Sequence, residues 1–196
     1  MQIVDVARQY VSQYVALTEE EYLFLVHRLE IRNFDKKEIV TREGEVENYL
    51  NFVIKGLARK FFYRDKEEMI TQIARENELI SSYDSFLKGT PSTYLVETIE
   101  PTTFISITKD HVEELYEKNP KMERLGRLIT TQQFLSREQW EYDRMRLDSH
   151  ERFVQFIQDN SNLLQRVPQK YLASYLNIKP ETFSRFKHLL RNYKQG

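Results

Sequence analysis

The chain has 196 residues, 40% hydrophobic and 13% aromatic, with 29 Lys+Arg against 30 Asp+Glu and a formal net charge of −1. That length supports one good core, or a medium domain plus a small one, and the apolar content excludes an intrinsically disordered chain. With no cysteine there can be no disulfide, thiolate metal site or cysteine-held iron–sulfur cluster, and His27, His111, His150 and His188 show no metal-ligand spacing.

No apolar run approaches 18 residues, and the opening MQIVDVARQY lacks the sections of a signal peptide. A cytoplasmic protein with no membrane span is expected. The charge is unevenly spread. Ser149 to Gly196 holds 8 Lys+Arg against 3 Asp+Glu, which leaves 21 against 27 for the rest. A basic end on an acidic body suits an anionic partner.

In chain order, residues 1–30 read as helical. Thr18 is an N-cap with Glu21 three residues on, a capping-box pattern, and apolar residues follow at helical spacing from Tyr22 to Leu29. From Phe34 to Thr108 short β-branched and aromatic runs alternate with Gly44, Gly56, Gly89, Pro91 and Pro101. This pattern predicts an antiparallel roll or barrel. VIKGLARKFFY reads as two strands meeting at a tight turn at Gly56. LISSYDSFLKGTPS, with its crowd of hydroxyls, interrupts the strands with room for one short helix.

From His111 to Leu147 the pattern is helical again, broken at Pro120. Leu125, Leu128, Gln132, Leu135, Gln139, Tyr142 and Met145 recur at three and four residues, a narrow seam close to a coiled-coil repeat. Pairing of this helix with a second copy is expected, with Gly126 permitting close approach of two backbones. Packing against its own domain is the alternative. Three further helical pieces close the chain: SHERFVQFIQ, PQKYLASYL and PETFSRFKHLLRNY.

From Gln169 onward the sequence fits a helix-turn-helix position by position. Leu172, Leu176, Ile178, Phe183 and Phe186 are apolar, and the small Ala173 stands where the helices cross. Asn177 takes the position that needs left-handed backbone, and Pro180 opens the second helix, where its missing N–H costs nothing. Lys179 at the N-cap departs from the usual Ser, Thr, Asp or Asn. The second helix, 180–193, presents Glu181, Thr182, Ser184, Arg185 and His188 outward. The first turns of such a helix enter the DNA major groove, where Arg donates to guanine and Glu accepts from cytosine. Glu181, Ser184 and Arg185 are therefore the base-reading residues expected here. Thr182, Lys170, Lys179, Lys187, His188 and Arg191 are expected in support or on phosphates, with Lys194 as a further cation. No nucleophile elbow, P-loop or zinc signature is present, and no enzyme is expected.

The order of parts, with REGE and VIKG turns in the roll, RLGRL in the long helix and LLQRVPQKYLASYLNIKPETFSR at the end, resembles the CRP/FNR family of bacterial transcription regulators. The resemblance implies an α+β fold. A β-roll of cyclic-nucleotide-binding type with flanking helices leads through a long dimerisation helix to a C-terminal helix-turn-helix. The implied domains are 1–117, 118–147 and 148–196. It further implies a homodimer joined through Leu125, Leu128, Gln132, Leu135 and Tyr142 on a palindromic operator, with TGA-like half-sites and RNA polymerase as a further partner. Aligned through Phe86 and Gly89, the positions of the family's phosphate cassette hold Ser81, Ser82, Ser92 and Thr93. The cation that would pair with a cyclic phosphate is absent there, so no response to cyclic AMP is expected. Those four residues are turn residues that satisfy their own backbone, the reading favoured here, or else, with Arg137 supplying a replacement charge, they line the pocket for another, unidentified effector. No cofactor is implied. Against the family, the sequence has no room after Arg185 for a β-hairpin wing. The rival expectation is a ligand- or protein-binding roll with a vestigial helix-turn-helix.

Overall fold

The computed structural model describes the backbone of residues 3–193 and the side chains of 5–188. Contacts divide the chain into two compact units. One comprises the residues up to 62 together with 71–133, and the other 63–70 together with 134 onward.

The first unit is a β-roll with a helical layer. Eight strands, β1 (Leu29–Phe34), β2 (Ile39–Thr41), β3 (Tyr49–Lys55), β4 (Ala58–Arg64), β5 (Glu67–Ala74), β6 (Leu79–Ile80), β7 (Leu95–Thr98) and β8 (Thr102–Thr108), form two four-stranded sheets. Their orders are β1-β8-β3-β6 and β2-β7-β4-β5. Val53, Ile80 and Phe104 from the first sheet meet Ala58, Ala74 and Val96 from the second, all fully buried. Each sheet thus contributes its inward row to one shared core.

Gly56 sits between these sheets rather than at a hairpin. β3 pairs with β6 and β8 while β4 pairs with β7, so the two strands that flank it do not face each other as the expected tight turn required. At φ 101° an added Cβ would lie 2.5 Å from the Pro101 carbonyl oxygen. Only glycine fits this corner.

The helical layer comprises α1 (Ile3–Ser12), α2 (Glu19–Val26), α4 (Lys109–Lys118) and the first half of α5 (Pro120–Arg146), while the short α3 (Tyr83–Lys88) connects β6 to β7. α2 begins with the capping box expected at Thr18 and Glu21. It ends at Val26, so the helical reading through Leu29 overshoots, because Leu29 already pairs with Ile107 in β1. Val11, Leu25, Leu115, Met122 and Leu125 form the core of this layer. Arg28 clamps α4 through Glu114.

The second unit contains the rest of α5, α6 (Ser149–Asp159), α7 (Leu163–Arg166), α8 (Gln169–Tyr175), α9 (Pro180–Tyr193) and the tip of the β4–β5 hairpin. Its core is aromatic. Phe153 meets Phe183 edge-on at 5.1 Å and Phe186 at 5.4 Å, and Trp140 stacks flat on Tyr175 at 4.5 Å. Among the described residues no helix is long and apolar enough to cross a membrane.

Candidate nucleic-acid interface

The turn between α8 and α9 is built by hydrogen bonds that end one helix and aim the next. Asn177 has φ 53°, the left-handed conformation that its short polar side chain tolerates. The Ile178 N–H reaches back to the Ala173 carbonyl at 2.9 Å, and the Asn177 N–H to that of Ser174 at 3.0 Å. These two bonds are the Schellman pattern. Ala173, Leu172 and Leu176 are fully buried, with Ile178 beside them, so a larger residue at 173 would separate the helices. Pro180 opens α9 as expected.

Phe183 and Phe186 turn inward, and Glu181, Arg185 and His188 are exposed on the opposite face. Thr182, Ser184 and Lys187 are half-buried along its flanks, and Lys170 and Lys179 are exposed. Lys170 lies 3.9 Å from Glu68 on the hairpin tip, a loose surface pair. The side chain of Arg191, and Lys194, lie outside the described residues.

Three positions absent from the sequence expectations hold this arrangement. Arg152, on the polar flank of α6, donates to the carbonyls of Leu147 (2.5 Å), Leu176 (3.1 Å) and Asn177 (3.5 Å), tying the entry of α6 to the α8–α9 turn. No spacing rule distinguishes it from a solvated arginine. Ser174 Oγ donates to the Glu68 carbonyl and accepts the Ile70 N–H, fastening α8 to the hairpin tip. Asp148 caps α6 with a reciprocal bond from Glu151, a capping box that the sequence does display. These backbone bonds hold the Asp148 carboxyl below its ordinary value.

In the roll, the cassette positions lie around α3. Ser81, Ser82 and Ser92 are buried and Thr93 is exposed. Ser81 Oγ donates to the Ile80 carbonyl and accepts from Asn51. Ser92 Oγ lies 2.8 Å from Ser82 Oγ and accepts the Tyr94 N–H. Glu47, 4% exposed, accepts from Thr41 Oγ1 at 2.5 Å and from the Tyr49 and Ser82 N–H groups. Burial pushes its carboxyl above the ordinary range against those bonds. Arg137 is exposed on α5, in the other unit from the serines.

Residues 31–119 match the family described as the cyclic nucleotide-binding domain. Among solved structures, FixK2 from Bradyrhizobium japonicum is similar at TM-score 0.74 and 17% identity, covering 85% of this chain and 86% of that one. The c-di-GMP-responsive global regulator CLP from Xanthomonas campestris is similar at TM-score 0.70 and 16% identity, covering 90% of this chain and 93% of that one. The Thermus thermophilus catabolite activator protein gives TM-score 0.55 at 18% identity over 92% of this chain and 87% of its own. The fold is that of the CRP/FNR regulators. No curated protein sequence matches the chain.

Within this CRP/FNR fold the long helix differs from its expected seam at two places. Leu125 is buried in the first unit's own core with Met122 and Leu115, so it is not available to a second copy. Gly126 receives Tyr116, whose hydroxyl an added Cβ would strike, rather than another backbone. Leu128 is half-buried, while Gln132, Leu135 and Tyr142 are exposed. Phe134 (61% exposed) and Met145 (81%) are further exposed apolar side chains on this helix.

Proposed function

We propose that this protein is a transcription regulator of CRP/FNR type that binds duplex DNA as a homodimer and reads sequence with the first turns of α9. The observation that carries this reading is the exposed Glu181–Arg185 face on a helix whose other face is locked by Phe183 and Phe186. A buried aromatic anchor fixes the helix's rotation. The outward residues are then Glu and Arg, the types that pair with cytosine N4 and guanine O6/N7.

A second copy pairs through the row Leu128, Leu135 and Tyr142. The large apolar side chains exposed there support this assignment. Two α9 helices then face successive half-sites, and a near-palindromic operator with TGA-like half-sites follows. RNA polymerase is the further partner that such a regulator would meet at a promoter. Cyclic AMP is not the effector, because the positions that would hold its phosphate carry Ser81, Ser82, Ser92 and Thr93 and no cation.

The deciding experiment is duplex binding by the purified full chain across a salt series, after selection of bound sequences from random DNA. The expected result is log affinity falling linearly with log salt and a selected sequence with two-fold symmetry. Binding that ignores salt, or no binding at all, would overturn the reading. Indifference to base substitutions in the TGA positions would overturn the half-site alone.

A further inference from the structure

Lys60, on β4 opposite Val96 of β7, is 5% exposed. Taking an ammonium out of water is costly unless donors and charge are compensated. Its Nζ donates to the Ser81 carbonyl at 3.1 Å. It also lies over two rings, 5.4 Å from the centroid of Tyr83 and 5.6 Å from that of Tyr94. Aromatic faces carry the negative potential that stabilises a desolvated cation.

The three groups come from both ends of one segment. Ser81 and Tyr83 enter α3, and Tyr94 follows the strand-side arm that leaves it. The arms also meet directly, through Ser92 Oγ and Ser82 Oγ at 2.8 Å. The Tyr83 hydroxyl is buried and has no hydrogen-bond partner among the described residues. A buried unpaired hydroxyl is a penalty that phenylalanine would avoid. What the Tyr83 ring contributes at this position is therefore the face it offers to Lys60, and its hydroxyl adds nothing to that contact.

We propose that the space between Tyr83 and Tyr94 is a binding site for a primary ammonium group, that Lys60 is its built-in occupant, and that this occupant holds the two arms of the α3 segment closed. This extends the regulator reading, in that the segment where an effector would sit is held from inside. The site itself stands without that reading.

Truncation to Lys60→Ala removes three methylenes and the ammonium, the outline of n-propylammonium. The expected result is a thermal midpoint lowered by roughly 5 °C in the full-length chain. About half of that loss should return with millimolar n-propylammonium chloride, since a ligand that binds only the folded state stabilises it. The unsubstituted protein should not respond, nor should the variant respond to 1-propanol or matched sodium chloride. Equal stability of variant and parent, or equal rescue by propanol, would overturn the site.

Should Lys60→Ala not fold, Lys60→Met keeps the apolar stem and removes the cation. Backbone amides of 81–94 should then exchange with solvent at least about tenfold faster while those of α8 and α9 do not change. Unchanged exchange in 81–94 would overturn the closure. No DNA enters either measurement, so a protein that fails to bind duplex would lose the regulator reading and keep this one.

Discussion

The α3 segment of the roll and the α8–α9 unit are built from similar parts and dispose of their polar groups in opposite ways. Each is a short helical passage with a left-handed residue at its bend, Gly89 at φ 68° and Asn177 at φ 53°. Each also anchors itself with buried phenylalanine, Phe86 in one and Phe183 in the other. Around α3 the hydroxyls of Ser81, Ser82, Ser85 and Ser92 are buried and satisfied by neighbouring backbone, by Asn51 or by one another. On α9 the charged groups of Glu181 and Arg185 face water. Hydrogen-bonding capacity spent inside a fold gives that fold rigidity and leaves little to offer a ligand. The same capacity turned outward on a locked helix can be spent on a partner.

The largest effect should come from removing the anchor that the second region depends on. Phe183→Ala deletes a fully buried ring packed edge-on against Phe153, and core losses of this kind cost about 3–5 kcal/mol. Trp140, the single tryptophan, stacks on Tyr175 in the same unit, so its fluorescence should report early melting of α6–α9. Backbone exchange in the roll should not change. Exchange that accelerates equally in both units would break the comparison.

Arg185→Ala should weaken specific duplex binding by roughly tenfold to a hundredfold, the range of one good bidentate base contact of about 1–3 kcal/mol. The thermal midpoint should hold, because the side chain is exposed. A lost midpoint with unchanged DNA affinity would assign Arg185 to the fold instead.

Arg152→Met sharpens the same contrast, since it disturbs how α9 is held and leaves its reading face intact. Leaving the carbonyls of Leu147 and Leu176 without their charged donor should cost about 2 kcal/mol. DNA affinity should fall with a smaller change in base preference than Arg185→Ala produces. A base-substitution scan on both variants separates the two roles.

The smallest effects are in acid. The Asp148 carboxyl is held low by the α6 backbone, and that of Glu114 is lowered to about 2 by Arg28 and Lys118. Both folded values lie below the unfolded ones, so their stabilisation is present above the ordinary carboxylate range and lost as pH falls through the folded values. Glu47, raised by burial, has the opposite sign: its contribution is present at low pH and lost as pH rises through its folded value. Unfolding midpoints from pH 6 to pH 2 should fall for the parent protein. Asp148→Asn keeps a good cap, and should flatten the fall in the α6–α9 signal and leave that of the roll.

Local chemistry was readable where a residue's own backbone or nearest neighbours decide the outcome. Thr18 with Glu21 caps α2 as its spacing says, Asn177 takes the left-handed turn, and Pro180 starts α9. The breaks at Pro120 and Gly89 fall where residue type places them. Spacing could not say which partner an apolar row would meet. Leu125 and Leu135 share one helical repeat, yet Leu125 closes the first unit's core and Leu135 is exposed. Gly126 is expected to admit the backbone of a second copy, and the group that occupies its free space is the Tyr116 side chain.

The succession of a roll, a long helix and two short helices joined by a tight turn, and the face of α9 that carries Glu181 and Arg185, were legible in the residues, because periodicity and turn chemistry act within a few positions. Tertiary structure decided that Gly56 passes the chain from one sheet to the other and that Arg152 braces the turn. It also decided that Lys60 is buried between two tyrosines. Each of those outcomes depends on groups from 21 to 45 residues away, at a separation where no local pattern carries information.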